Sequence, residues 1–173
     1  MSENILITGA PGCGKTTFFK RLVQALGHLQ PVGFYTQEIR EGGVRKGFNL
    51  TGLDGSSGLL AHVDLSGEFS VGRYRVDVTG FEDFISRIPF SDHRSRVIMI
   101  DEIGRMECFS TKFQRIISEV LASEKIFIAT IALKGAGLIA EIKKRRDIRL
   151  FEVTRNNQDT IISKIEKLLN LIE

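Results

Sequence analysis

An α/β three-layer sandwich, with a mostly parallel central sheet and a β-hairpin insertion, is the fold predicted by three features of this 173-residue chain. The first is a glycine-rich loop, Gly9-Ala10-Pro11-Gly12-Cys13-Gly14-Lys15-Thr16, set between the apolar run Ile5-Leu6-Ile7 and a helical stretch. The second is Val97-Ile98-Met99-Ile100, an unbroken apolar run of the kind that a central strand covered on both faces requires, followed at once by Asp101-Glu102. The third is the regular alternation of strand and helix patterns in the second half, which implies right-handed crossovers in a parallel sheet.

The elements follow in order. A helix is expected from about Lys15 to Leu26, until Pro31 and Gly33 break the chain. Gly33 to Arg40 reads as a strand, Glu41-Gly42-Gly43 as a turn and Val44 to Leu50 as its return, which makes a hairpin. Leu59 to Val63 and Arg73 to Val78 extend this β-rich insertion over about residues 33–78. Phe81 to Ile88 is expected to be a short helix stopped by Pro89, and Val97 to Ile100 a strand ended by Asp101. Within Thr111 to Ala122, Phe113, Ile116, Ile117, Val120 and Leu121 share one helical face. Ile126 to Thr130 is a buried strand, Leu138 to Lys144 a helix, and Leu150 to Thr154 the last strand. A final helix carries Ile161, Ile162, Ile165, Leu168 and Leu169, with Asn157 as its cap. Without repeats or linkers, residues 1–173 are expected to form a single domain.

Composition narrows the function classes. Hydrophobic residues make up 42% and charged residues 26%, enough for a sizeable core, and the net charge of +3 is too small to indicate nucleic acid. The two cysteines, Cys13 and Cys108, form neither a disulfide framework nor a metal-ligand spacing, so a reducing cytoplasm is the expected setting. No leader pattern is evident, and no apolar run approaches the ~18–20 residues of a membrane span. A monomer without membrane attachment is expected. His28, His62 and His93 are scattered and form no metal set.

The glycine-rich loop matches G-x-x-x-x-G-K-[ST], whose backbone N–H groups cradle phosphates at a helix N-terminus. In that chemistry Lys15 reaches the β and γ oxygens and Thr16 offers its hydroxyl to Mg²⁺. Asp101, at the carboxyl end of a central strand, suits the same Mg²⁺ through water. Glu102 is placed to polarise a water for attack on the γ-phosphorus. An activated water is useless to a kinase, so the Asp-Glu pair favours hydrolysis over transfer. Thr130 stands where a polar strand end could sense the γ-phosphate, or could simply satisfy backbone. An arginine supplying transition-state charge could come from Arg145 or Arg146 in the run Lys143-Lys144-Arg145-Arg146, from Arg149, or from Arg40, Arg45, Arg73 and Arg75 in the insertion. Phe34, Tyr35 and Tyr74 are the candidates to stack on a base, and base preference stays open.

With these motifs in place, the chain resembles the small P-loop nucleoside-triphosphatase family that includes the cancer-related nucleoside-triphosphatase and its thermophile relatives. The likeness covers Gly9 to Thr17, Val32-Gly33-Phe34-Tyr35-Thr36 with Glu38, Arg40, Gly43 and Gly47-Phe48, and Gly72-Arg73-Tyr74. It continues through Ile100-Asp101-Glu102-Ile103-Gly104 with Met106 and Glu107, and through Arg146-Asp147 with Leu150 to Thr154. The resemblance implies a RecA-like fold and Mg²⁺-dependent hydrolysis of ATP, GTP, CTP, UTP and TTP to the diphosphate with little base selectivity. It also implies that Gly9 to Thr17 bind phosphate and that Ile98 to Arg105, around Asp101 and Glu102, line the nucleotide site. Where the family pattern has Asn-Arg-Asp near the last helix, this chain has Asn157-Gln158-Asp159. Three rival readings are a GTPase switch, since Asp101-Glu102-Ile103-Gly104 fits D-x-x-G and Asn156-Asn157-Gln158-Asp159 is faintly similar to N-K-x-D without its lysine, a nucleotide-type kinase, and an assembly module with incidental turnover.

Overall fold

The computed structural model describes residues 3–170; Met1 and Ser2, read on sequence as leading into the first strand, lie outside that range. The chain opens with β1 (Glu3–Thr8), α1 (Lys15–Ala25) and the hairpin β2 (Val32–Glu41) and β3 (Val44–Gly52). It continues with β4 (Ser57–His62), the short strands β5 (Ser70–Val71) and β6 (Tyr74–Val76), and α2 (Val78–Ser86). The second half alternates β7 (Val97–Ile103), α3 (Thr111–Leu121), β8 (Ile126–Ile131), α4 (Leu138–Lys143), β9 (Ile148–Glu152) and α5 (Gln158–Asn170).

These strands form one nine-stranded sheet in the order β5-β6-β4-β3-β2-β7-β8-β1-β9. From β2 through β9 every neighbouring pair is parallel. From β2 outward to β5 every pair is antiparallel. The predicted insertion is therefore not a separate flap: its first strand, β2, is a member of the parallel core, and β3 to β6 widen the same sheet. β8 lies between β1 and β7, so the two sequence motifs sit two strands apart.

Strand alternation sorts the core onto two faces, as side chains of period two must. Ile5 and Ile7 of β1 join Val97, Met99, Phe18, Phe19, Leu22, Ile161 and Ile165 beneath α1 and α5. Leu6 joins Ile98, Ile100, Phe81, Phe113, Ile117 and Ile139 beneath α2, α3 and α4. Phe34 lies at the centre of that second layer, meeting Phe81, Phe84 and Phe113 at centroid distances of 5.9, 5.7 and 6.3 Å. Among the described residues no helix is long and apolar enough to cross a membrane.

Four boundaries differ from the sequence reading. Helix α2 starts at Val78, because the Asp77 carboxylate accepts the Gly80 N–H at 2.9 Å and caps a turn that alternation had assigned to strand. β7 does not end at Asp101; it runs on to Ile103 while its register against β8 shifts between Ile100 and Ile103. The last strand spans Ile148–Glu152, where pairing with Asn4 to Thr8 of β1 fixes its limits. Asn157 begins α5 with its carbonyl, which accepts from Ile161 N at 3.0 Å. Its side chain instead turns back to Thr154 N at 2.7 Å and Glu152 O at 2.9 Å, bracing the β9–α5 turn.

Two buried positions carry the tightest constraints. Gly33 in β2 has φ 145°, and a Cβ there would stand 1.7 Å from the carbonyl oxygen of Met99 in β7. Glu107, 5% exposed in the turn after β7, is held by the backbone N–H groups of Gly104 and Glu107. Burial, and after it the Glu102 carboxylate, pushes its pKa up from 4.5 to about 8.

Gly33→Ala should lower folding stability by about 3 kcal/mol in urea unfolding, since the β2–β7 pairing must open to admit a methyl group; a loss near zero would show that the two strands separate freely. Because folded Glu107 keeps its proton to higher pH than the unfolded chain does, stability falls as pH rises between about 4.5 and about 8. Glu107→Gln should flatten that decline and raise the melting temperature at pH 8 relative to the parent protein. An unchanged pH profile would contradict the buried, protonated state.

Candidate active site

The loop between β1 and α1 turns on Gly14, which caps α1 at φ 91°, a conformation that a side chain disfavours. No side chain caps this end of α1, so the N–H groups of its first turn face an open space rather than a neighbouring residue. An N-terminus left open in this way, inside a curled loop, attracts anions through both its donors and its dipole. Lys15 reaches back across the loop and donates from Nζ to Gly9 O at 3.1 Å. That bond closes the loop on itself and keeps an ammonium over its mouth.

Asp101 is fully buried, and its two carboxylate oxygens serve different elements. Oδ2 accepts from the Thr16 hydroxyl at 2.9 Å, and Oδ1 accepts from the Thr130 hydroxyl of β8. The Thr36 backbone N–H of β2 adds a further donor. Burial nevertheless raises the Asp101 pKa above the usual carboxylate value; the hydrogen bonds and Lys15 only oppose that effect. Glu102 beside it is half-buried, and its pKa is raised first by burial and then by the Asp101 charge. Two neighbouring acids in a buried setting thus hold their protons more tightly than free carboxyls do, with Lys15 opposing the effect on both.

A cavity of about 830 Å³ opens over the loop. Gly9, Pro11, Gly12, Gly14, Lys15, Thr16 and Thr17 form its floor, and Glu102 lies in its wall. Thr36, Gln37, Glu38 and Phe48 of the β2–β3 hairpin close one side, and Ala132, Leu133 and Lys134 after β8 close another. Ala10 and Cys13 complete the loop without lining this cavity; Cys13 N donates to Ala10 O at 3.1 Å. A smaller cleft of about 390 Å³ lies on the far side of the loop, lined by Cys13, Thr17, Arg21, Arg155, Asn156 and Gln158.

The structure therefore gathers Lys15, Thr16, Asp101, Glu102 and Thr130 and leaves several other candidates elsewhere. Thr130 is bonded to Asp101 and not merely to backbone. Arg145 pairs with Asp147, Arg149 with Glu3, and Arg40 and Arg45 both with Glu38, and none of these arginines lines the cavity. Arg73 donates to Arg45 O, and Arg75 and Arg146 are exposed away from the cavity lining. Phe34 is core, Tyr74 packs edge-on to Phe48 at 5.3 Å with the Arg73 guanidinium over its ring, and neither lines the cavity. Tyr35 holds the Lys20 ammonium 4.7 Å from its ring centroid. Cys108 is half-buried and burial pushes its thiol up to about 12.

Lys20, Gln37 and Lys134 escaped the sequence reading. Lys20 follows Thr16 by one helical turn, and Lys134 follows Thr130 by four residues, so both spacings pointed to the site once its strands were known. Gln37 carries no sequence signal of its own. Among the described residues no group of three or more His, Cys, Asp or Glu is arranged to hold a metal ion unaided.

The family model described as NTPase matches residues 4–166. The nucleoside-triphosphatase THEP1 of Thermotoga sp. (strain RQ2) is 39% identical, the match covering 95% of this chain and 94% of that protein. The human cancer-related nucleoside-triphosphatase is 36% identical, with 95% of each chain covered. The crystal structure of THEP1 from the hyperthermophile Aquifex aeolicus superposes with a TM-score of 0.87 at 34% identity, over 98% of this chain and 99% of that one. With the loop, the paired acids and the RecA-like α/β sheet that joins them, this chain belongs to the NTPase family.

Proposed function

We propose that this chain, acting as one domain over residues 1–173, hydrolyses nucleoside triphosphates to the diphosphate and phosphate. The observation that carries the reading is the single cavity in which Lys15, Thr16 and Glu102 meet above the buried Asp101. Gly9 to Thr17 cradle the phosphates with backbone N–H groups, and Lys15 exchanges its bond to Gly9 O for the β and γ oxygens. Glu102 accepts a proton from the water that attacks the γ-phosphorus, and the bond to the β–γ bridging oxygen breaks. Relatives named as nucleoside-triphosphatases support this reaction class.

Mg²⁺ fits the donors present. Thr16 offers a hydroxyl and Asp101 a carboxylate, both hard oxygen ligands, and the two lie within 2.9 Å of each other at the foot of the cavity. Asp101 would hold the ion through water, while the phosphates complete its shell. Bound there, Mg²⁺ neutralises charge on the β and γ oxygens.

The second cleft supports the reading that the chain has little base selectivity. The sheet order places Asp101 and Thr130 to one side of the loop and the β9–α5 turn to the other, so a triphosphate with its γ end at Glu102 directs its nucleoside toward Arg21 and Arg155. Guanidinium planes stack on any base and read none of its edges. The GTPase reading is disfavoured by the same turn. Asp159 is engaged by Arg21, and the Asn157 side chain is spent on Thr154 and Glu152.

Glu102→Gln should keep nucleotide binding while kcat falls by about 10²–10⁴-fold, and Lys15→Ala should remove both affinity and turnover. Undiminished phosphate release from Glu102→Gln would exclude Glu102 as the base. Phosphate release from ATP, GTP, CTP, UTP and TTP should agree within about tenfold in kcat/KM, a spread of ~1.4 kcal/mol in transition-state binding. Chelation with EDTA should abolish all five reactions, and strong preference for GTP would restore the switch reading.

A further inference from the structure

On the hydrolase reading above, the transition state needs a cation near the γ-phosphate, and none of the arginines expected to supply it lines the cavity. We infer that Lys134, in the turn after β8, supplies that charge from within the same chain. It lines the cavity that holds Lys15 and Glu102. It lies four residues beyond Thr130, whose hydroxyl is bonded to Asp101, so the strand that carries it is registered on the catalytic acids.

The turn is fastened at two points. Lys143 of α4 donates from Nζ to Ala132 O at 2.5 Å and to Leu133 O at 2.6 Å. Ala132 N donates to Ile103 O, at the end of β7, at 3.1 Å. These bonds hold the backbone on the N-terminal side of Lys134 against both β7 and α4. The side chain itself is exposed and, among the described residues, takes part in no ion pair.

Lys20, the other unexpected lysine of the cavity, differs in this respect, because its ammonium rests over the Tyr35 ring. Charge in a loose phosphoryl-transfer transition state spreads over the outer γ oxygens, while Lys15 and the metal cover the bridging side. A lysine at the rim meets that outer charge as a mobile point charge on a fixed turn. It stays protonated throughout: the water's proton goes to Glu102, and the bridging oxygen leaves on the diphosphate. Lys143 is then a positioning residue, acting through the turn.

The test separates transition-state from ground-state binding. Lys134→Ala should lower kcat for ATP by about 10²-fold, the scale of one lost charge-stabilising donor, with KM changed less than threefold. Lys134→Arg should recover most of the rate, and Lys144→Ala, an exposed lysine outside the cavity, should match the parent protein. Binding of Mg²⁺-ADP with aluminium fluoride should weaken in Lys134→Ala by a factor similar to the kcat loss, while binding of ADP alone is unchanged. Parent-like kcat in Lys134→Ala, or equal weakening of ADP with and without aluminium fluoride, overturns the role of Lys134 and leaves the hydrolase reading intact. A parent protein that releases no phosphate from any triphosphate overturns the hydrolase reading itself, and this inference with it.

Discussion

The buried carboxylate of Asp101 is the point on which the rest of this structure turns. Its oxygens accept from Thr16 after β1, Thr130 in β8 and the backbone of Thr36 in β2. Helix α1 and the strands β8 and β2 on either side of β7 are thereby referred to one side chain. A fully buried acid without such partners would be strongly unfavourable, so the fold that encloses it must deliver the donors. The same enclosure raises its pKa, an effect that its hydrogen bonds and Lys15 oppose.

The surrounding architecture serves to keep that carboxylate in place. The two apolar layers lock β1, β8 and β7 from both faces, and the close passage of Gly33 beside Met99 brings β2 tight against β7. The antiparallel extension then has a role beyond widening the sheet. It brings Gln37, Glu38 and Phe48 round as one wall of the cavity, with Glu38 held by Arg40 and Arg45 and Phe48 backed by Tyr74. The arginines of this wall are structural braces.

Charge is distributed along the parallel core in a graded way. Acids cluster where β7 ends, with Glu107 completing a group of three behind Asp101 and Glu102. Cations lie at the rim and across the loop, on Lys20, Lys134, Arg21 and Arg155.

Much of this was legible in the residues alone, and the limit of legibility has a physical cause. The phosphate loop, the apolar run before Asp101 and the helical face of Phe113, Ile117 and Val120 are local patterns, set by glycine conformations, strand burial and helical period, and each stands in the structure where its pattern put it. The sequence alone also named Thr130 as a candidate, but not its bond to Asp101. What only the tertiary structure decided was pairing across distance. Insertion of β8 between β1 and β7 brought Thr130 onto Asp101, and continuation of the hairpin into the main sheet brought Gln37 and Phe48 to the cavity. Arg145 and Arg149 pair with Asp147 and Glu3 away from the site, Arg40 and Arg45 brace Glu38 in the cavity wall without lining the cavity, and Lys134 lies at its rim. Motifs are written in neighbouring residues, whereas the partner of a charge depends on which strands come to lie side by side, and no short stretch of sequence contains that order.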